Sequence, residues 1–180
     1  MEKNLTLKDY DLAFIDAEMT GRGFVHELTE LAVLRVSSFN FTLLDEWVTK
    51  IKPRHIELAE PEALAITHYS EEDWKDALDI ESALKLFLVK TENTILVGHN
   101  VNNDWFYLYK SLAEFNLNPT FSYRCLDTVS LAWAKLRNEP NIRRLSLREL
   151  AEYYGIKLEK AHSALDDARI TYKIFLELIK

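Results

Sequence analysis

Residues 13–21 of the chain read AFIDAEMTG, and the interpretation of the whole sequence starts from them. The three apolar residues 13–15 predict a strand entering a core, and two carboxylates, Asp16 and Glu18, follow with one residue between them. Because a strand repeats every two residues, both carboxylates point to the same face. Like charges this close are costly unless a cation lies beside them, and Mg²⁺ and Mn²⁺ prefer carboxylate oxygens. An isolated Asp-x-Glu more often marks the point where a strand reaches solvent. Whether this pair has a function therefore depends on the rest of the chain.

Length and composition exclude several classes of protein. The 180 residues fit one domain, residues 1–180, with a single core. The single cysteine, Cys125, excludes an internal disulfide and a cysteine-based zinc site, and with the charged N-terminal stretch it predicts a reducing, cytoplasmic location. No apolar run approaches the roughly 18 residues of a membrane span. With four glycines the chain can form neither a P-loop nor a GxGxxG turn, which excludes most nucleotide-dependent kinases and dehydrogenases.

The charge distribution leaves two interpretations open. A net charge of −7 argues against binding nucleic acid through a bulk positive field. Positive side chains nevertheless gather between residues 135 and 160: Lys135, Arg137, Arg143, Arg144, Arg148, Lys157 and Lys160. This basic segment is either a solvated helical face or a local contact for nucleic acid.

The pattern of strands and helices predicts an α/β fold. Strands are expected at 30–36 and 43–51, joined by a hairpin at 37–41, and again at 94–98 and 121–126. Helices are expected at 61–68, from Ser70, at 80–90, 105–115 and 128–137, from Ser146 to Gly155, and at 163–179. An antiparallel start of three strands, followed by alternating helices and strands, predicts one α/β sandwich with a mixed sheet and flanking helices.

Three further polar residues occupy ends of these elements. Asp104 follows the strand 94–98 at a strand-to-helix turn, where ligands bind in open α/β sheets, although a helix cap is the alternative. His162 and Asp167 frame the start of the last helix, where a lone histidine is more often a cap. Four carboxylates and one histidine are nevertheless what a two-metal phosphodiester hydrolase needs.

Three stretches in this order resemble a known family, the DEDDh-type 3′–5′ exonucleases of the DnaQ-like family. That group includes the proofreading subunit of bacterial replicative polymerases, ribonuclease T and oligoribonuclease. FIDAEMTG is similar to the first family motif, GHNVNNDWFYL to the second and AHSALDDA to the third. The connecting stretches PEALAITHYSEED, CLDT and LSLRELAEYYGI follow the family as well, so the resemblance covers nearly the whole chain. It implies a ribonuclease H-like fold.

The resemblance also implies the site. Two divalent cations, Mg²⁺ or Mn²⁺, are expected, with Asp16 contacting both. Glu18 and Asp167 are assigned to the cation that activates water, Asp104 to the leaving-group side, and His162 to the general base.

Contacts to the substrate are expected from eight residues: Met19, Thr20, Gly21, Arg22, Phe24, Thr67, His68 and Asn100. Arg22 stands where the family usually has an apolar wedge between bases, so either its guanidinium or the ring of Phe24 is expected to stack there. Thr67 and His68 stand where relatives often carry a histidine that contacts a base.

The predicted function is a metal-dependent 3′–5′ exonuclease that hydrolyses single-stranded nucleic acid ends, DNA in a proofreading or end-trimming role, to nucleoside 5′-monophosphates. Alternatives are an RNA-trimming exoribonuclease or oligoribonuclease, an endonuclease of the same fold, and an inactive nucleic-acid-binding module. His162 argues against the endonuclease, and the presence of all five residues argues against the inactive module. A DNA polymerase is a candidate partner. The chain ends at Lys180 directly after the last helix, without the tail through which the family's proofreading subunit binds its polymerase, so a free-standing trimming enzyme is an open alternative.

Overall fold

A computed structural model describes residues 6–158 and 163–180 and contains one five-stranded sheet. Its strands are β1 (Asp11–Met19), β2 (Leu28–Val36), β3 (Leu43–Lys50), β4 (Thr94–Gly98) and β5 (Cys125–Asp127), in the order β3-β2-β1-β4-β5. The first three strands are antiparallel, whereas β4 is parallel to both β1 and β5. The predicted mixed sheet with an antiparallel start is confirmed.

Helices cover both faces of this sheet. They are α1 (Pro61–Ile66), α2 (Ile80–Lys90), α3 (Asn102–Glu114), α4 (Thr128–Leu136), α5 (Leu147–Tyr153) and α6 (Ala164–Leu178), with 3₁₀ turns at Leu7–Asp9 and Ile56–Leu58. Residues of α2 and α3 share a core with one face of β1, and α6 packs on the other face, with α4 and α5 beside it. Within residues 6–158 and 163–180, no helix is both long and apolar enough to cross a membrane.

The alternating side chains of β1 explain this arrangement. Ala13 and Ile15 lie in the core with α2 and α3, whereas Leu12 and Phe14 face α6, where Phe14 meets the ring of Phe175 edge to face with centroids 5.2 Å apart. Since strand residues two apart share a face, the even-numbered carboxylates of β1 lie on the side of α6.

The helix predicted from Ser70 is wrong. The capping contact itself forms, because Ser70 Oγ accepts a hydrogen bond from the Asp73 N–H at 3.1 Å, yet residues 71–76 form turns rather than a helix. Trp74 is buried and its indole N–H donates to the Thr29 carbonyl at 3.1 Å, and Leu78 then forms a bridge beside the end of β3. Tertiary contacts with the sheet thus override the local helix signal.

Two other boundaries differ from the predictions by three residues or more. The strand predicted at 121–126 is reduced to β5, because the ring of Phe121 instead packs among Phe87 and Trp105 in the core. Helix α3 begins at Asn102, three residues before the predicted start, so that Asp104 lies inside its first turn.

Candidate active site

Three of the four predicted carboxylates converge at one point of the sheet. Asp16 and Glu18 project from β1 and Asp167 from the first turn of α6, and each offers an oxygen within 4.8 Å of the others. Helix α6 approaches closely because fully buried alanines, Ala164 and Ala168 among them, meet the sheet there. The strand period and this close approach together bring the three carboxylates into one cluster.

Asp104 completes the group from the opposite side of β1. Its side chain is only 5% exposed, and it accepts a hydrogen bond from the backbone amide of Ala17, the residue between the two β1 carboxylates. The N-cap of α3 is Val101, so the alternative interpretation of Asp104 as the helix cap is wrong. The structure thus brings Asp104 close to Asp16, and its role in the site stays a prediction.

The electrostatics of the four carboxyls follow from burial and crowding. Burial, and then the charges of Asp104, Glu18 and Asp167, raise the pKa of Asp16 well above its usual range. Burial, with Asp167 as the next cause, raises the pKa of Glu18 to about 7. Burial also raises the pKa of Asp104, although hydrogen bonds from its own amide and from Ala17 oppose this effect.

A divalent cation fits this donor set. Buried carboxyls with raised pKa values are stabilised in their ionised form when a positive charge lies between them. The three converging side chains offer oxygen atoms, which hard cations such as Mg²⁺ and Mn²⁺ prefer over zinc or copper. The cluster can therefore hold such a cation, as predicted, and its geometry does not distinguish Mg²⁺ from Mn²⁺.

The carboxylates lie at the floor of a cleft of about 500 Å³. The rest of its lining comes from β1 and the segment after it, from α1 with its flanking residues, and from the start of α3: Ala17, Met19, Gly21, Arg22, Glu60, Glu62, Ala63, Ile66, Thr67 and Asn103. Six of these were not predicted as site residues: Ala17, Glu60, Glu62, Ala63, Ile66 and Asn103. The PEALAITH stretch was the available signal, because it was read as a helix next to the expected base contact.

Buried contacts fix the segment after β1 against α1 and α3. The Tyr107 hydroxyl, on α3, donates to the Gly21 carbonyl at 2.9 Å and accepts from the Gly23 N–H at 2.8 Å. The His26 ring lies 3.3 Å from a carboxylate oxygen of Glu60, the N-cap of α1. Gly21 has a φ of +155°, and a β-carbon there would lie 2.6 Å from the His26 ring, so no larger residue fits.

The predicted substrate contacts divide into two groups. Met19, Gly21, Arg22 and Thr67 line the cleft. Among the described residues, the other four lie outside its lining: Thr20, Phe24, His68 and Asn100.

The four predicted contacts outside the lining differ in burial, contacts and backbone conformation. Thr20 is buried, and its hydroxyl accepts from the Glu27 N–H at 2.9 Å. Phe24 is 79% exposed and lies edge to face on Phe106. His68 and Asn100 have positive φ angles of 52° and 61° in turns. A role of the four in substrate binding stays a prediction.

Other residues singled out in the sequence are placed as follows. His162 lies outside the described residues, so its role stays a prediction. Asp166, next to Asp167, forms an ion pair with Arg169 at 3.0 Å. Arg143 and Arg144 are exposed, and their backbone amides donate to the Glu149 carboxylate, which leaves the two interpretations of the basic segment open.

Comparison with known proteins decides the family. The model of the RNase T exonuclease family matches residues 13–175. The chain belongs to this exonuclease family. The prediction of a DEDDh-type exonuclease related to DnaQ is thereby confirmed.

Curated relatives of this exonuclease domain are much longer proteins. The PolC-type DNA polymerase III of Thermotoga maritima is 30% identical over 177 residues, which cover 97% of the chain and 12% of the relative. The corresponding Staphylococcus aureus polymerase is 26% identical over 179 residues, covering 99% of the chain and again 12% of the relative. The chain thus spans about an eighth of the length of these relatives.

Solved structures share the fold. The nuclease domain of 3′hExo, a DEDDh family member bound to rAMP, superposes with a TM-score of 0.79 at 17% identity, covering 97% of this chain and 93% of that one. Escherichia coli exonuclease I in complex with a dT13 oligonucleotide gives a TM-score of 0.75 at 21% identity, covering 94% and 40%. At these identities the likeness concerns the fold, and the predicted ribonuclease H-like architecture is confirmed.

Proposed function

We propose that residues 1–180 form one exonuclease domain that removes nucleotides from the 3′ end of single-stranded DNA and releases nucleoside 5′-monophosphates. The observation that carries the proposal is the convergence of Asp16, Glu18 and Asp167 within 4.8 Å, with Asp104 buried beside Asp16, at the floor of a cleft. Few structural roles account for four crowded carboxylates, one buried and three half-buried, whereas hydrolysis of a phosphodiester assisted by divalent cations uses such a set.

The residues of the site take separate roles in this proposal. Asp16, Glu18, Asp167 and Asp104 would hold two cations, Mg²⁺ or Mn²⁺, which when bound supply positive charge to the attacking and leaving oxygens of the phosphodiester. His162, five residues before Asp167 in the sequence, would accept the proton of the attacking water. In this proposal the carboxylates would hold the cations, and the histidine would accept the proton.

The walls of the cleft would bind the terminal nucleotide. A volume of about 500 Å³ is in the range of sites for small molecules, which suits the end of a single strand better than a duplex. Arg22 offers a guanidinium that can pair with a phosphate or stack on a base. Helix α1 presents the apolar side chains of Ala63 and Ile66 to the same space.

DNA is favoured as the substrate because the curated relatives are DNA polymerases. The same similarity supports association with a DNA polymerase as a proposal, together with a cytoplasmic location. RNA is the second candidate, because the similar nuclease domain of 3′hExo was solved with rAMP bound, whereas exonuclease I was solved with a DNA oligonucleotide.

A digestion panel tests the proposal. The substrates are 5′-labelled single-stranded DNA, duplex DNA with a mismatched 3′ end, RNA of two to five nucleotides, and a circular single strand, each with Mg²⁺, Mn²⁺ or excess chelator. We expect stepwise shortening of linear DNA, 5′-monophosphate products and no activity in chelator. The Asp16→Asn protein is the control for contaminating nucleases. Cleavage of the circle at a comparable rate would establish the endonuclease instead, and preference for short RNA would establish the oligoribonuclease.

A further inference from the structure

Glu30, on β2, forms a hydrogen bond that joins the sheet to the start of α6. It lies directly opposite Glu18 in the register of β1 and β2, and its carboxylate accepts from the Ala164 N–H at 2.8 Å. We propose that Glu30 is a positioning residue that caps α6 and thereby holds Asp167 against Asp16 and Glu18. This inference rests on the proposed function, because it concerns the same cation-binding carboxylates.

The local sequence does not supply this cap. The first N–H groups of a helix have no partner within the helix, and an acceptor side chain at the N-cap normally satisfies one of them. Ser163 occupies the N-cap of α6, but among the described residues it makes no side-chain hydrogen bond to the helix. The carboxylate of Glu30 reaches the first helical amide instead, where the helix dipole also favours a negative charge.

The same turn of helix carries Asp167. Its N–H donates to the Ser163 carbonyl at 3.0 Å, which closes the first turn around Ala164. A shift of this turn therefore moves the Asp167 carboxylate relative to the two on β1. Metal sites depend strongly on such supporting contacts, whose removal typically weakens metal binding about 10- to 100-fold.

The negative charge of Glu30 is unfavourable beside the other carboxylates, which argues that its hydrogen bond to the Ala164 N–H has a structural role. It adds a negative charge near both Asp16 and Glu18. Lys50, its neighbour in the register of β2 and β3, provides a partly compensating positive charge. If the position served packing alone, an apolar residue would avoid this repulsion.

Two conservative variants of Glu30 separate the effect of its side-chain length from the effect of its charge. Glu30→Gln keeps an oxygen acceptor at the same distance and removes the charge, whereas Glu30→Asp keeps the charge on a side chain one methylene shorter. Asp79→Ala is the matched control, because it removes the N-cap of α2, where Asp79 accepts from the Ser82 N–H at 2.9 Å, and Asp79 does not line the cleft. Each variant of residues 1–180 is titrated with Mn²⁺ alone by calorimetry, and its melting temperature and turnover of labelled single-stranded DNA are measured.

We expect Glu30→Asp to weaken Mn²⁺ binding about 10-fold or more and to lose turnover in parallel. Glu30→Gln should bind Mn²⁺ within about threefold of the wild type, and Asp79→Ala should melt at a lower temperature with unchanged Mn²⁺ affinity. A loss of binding confined to Glu30→Gln would assign the effect to charge and overturn the inference, as would unchanged binding in Glu30→Asp. Equal weakening in both variants would also overturn it, because Glu30→Gln keeps the reach of the side chain. A wild-type protein that binds no Mn²⁺ would instead refute the proposed function itself.

Discussion

Raising the pH of the metal-free protein from about 5 to about 8 should destabilise it, and Glu18 provides the clearest measure of that effect. Burial and the neighbouring Asp167 raise the pKa of Glu18 from 4.5 to about 7. Between about pH 5 and about pH 7 the folded protein retains a proton on Glu18 that the unfolded chain has already lost. The stability contributed by this proton is present below the unfolded pKa and is lost as pH rises through about 7.

The magnitude follows from the pKa difference. A shift from 4.5 to about 7 corresponds to about 3 kcal/mol of unfolding free energy when the group is fully ionised. For a chain of this size, 1 kcal/mol changes the melting temperature by about 2–4 °C, so ionisation of Glu18 alone should lower it by about 6–12 °C. The raised pKa of Asp16 acts in the same direction.

Thermal unfolding in chelator, followed by circular dichroism across this pH range, measures the effect. Glu18→Gln cannot ionise at this position, so it should lose less stability with rising pH and melt above the wild type at about pH 8. Glu72→Gln, at an exposed position in a turn, is the control for loss of a surface charge. Saturating Mn²⁺ should reverse the order, because a ligand that binds the folded state stabilises it according to its affinity.

Parallel pH curves for the wild type and Glu18→Gln in chelator would refute this reasoning. They would show that Glu18 is solvated and ionised in the metal-free protein. Such a result would remove the electrostatic argument for a cation between the three carboxylates.

Three further predictions concern individual residues. Asp16→Asn should abolish turnover and weaken Mn²⁺ binding in calorimetry, since Asp16 is proposed to contact both cations, and a near-normal rate would require a different site. His162→Ala should lose about 10²- to 10⁴-fold in rate while retaining Mn²⁺ and single-stranded DNA binding. Normal turnover with an unchanged pH profile would contradict its role as the general base. Charge reversal of Arg143 and Arg144 should weaken DNA binding and reduce its salt dependence by about 0.7 unit of slope for each lost phosphate contact, and an unchanged slope would assign both to a solvated face.

Much of the fold could be predicted from local patterns. The strand 94–98 and the helix 80–90 were predicted with the boundaries they have. The strand is a short apolar run, and in the structure the helix is capped by Asp79. The segments around Ser70 and Phe121 could not be predicted, because their conformation depends on Trp74 and Phe121 packing against distant parts of the chain. Side chains that are buried by distant elements carry no local signal of that burial.

The site residues also divide into those that a sequence pattern indicates and those that depend on distant contacts. Spacing within β1 placed Asp16 and Glu18 on one face. Asp104 and Asp167 were singled out by their positions at the starts of helices, and the family motifs then included them. Glu30 gave no signal, because its contact with Ala164 spans 134 residues. Glu60 and Glu62 were missed although the PEALAITH stretch, next to the expected base contact, was a signal for this side of the cleft.

The position of α6 explains how one sheet can support such a crowded group of charges. Ala32 lies opposite Asp16 in the register of β1 and β2, and with Ala164 and Ala168 it forms a cluster with no exposed surface. A larger side chain at any of these positions would have to be accommodated by moving α6 outward, because close-packed interiors have little free volume. Such a movement would withdraw Asp167 from oxygens that now lie within 4.8 Å of one another. The small side chains therefore determine the distance between helix and sheet, and that distance determines whether the third carboxylate reaches the other two.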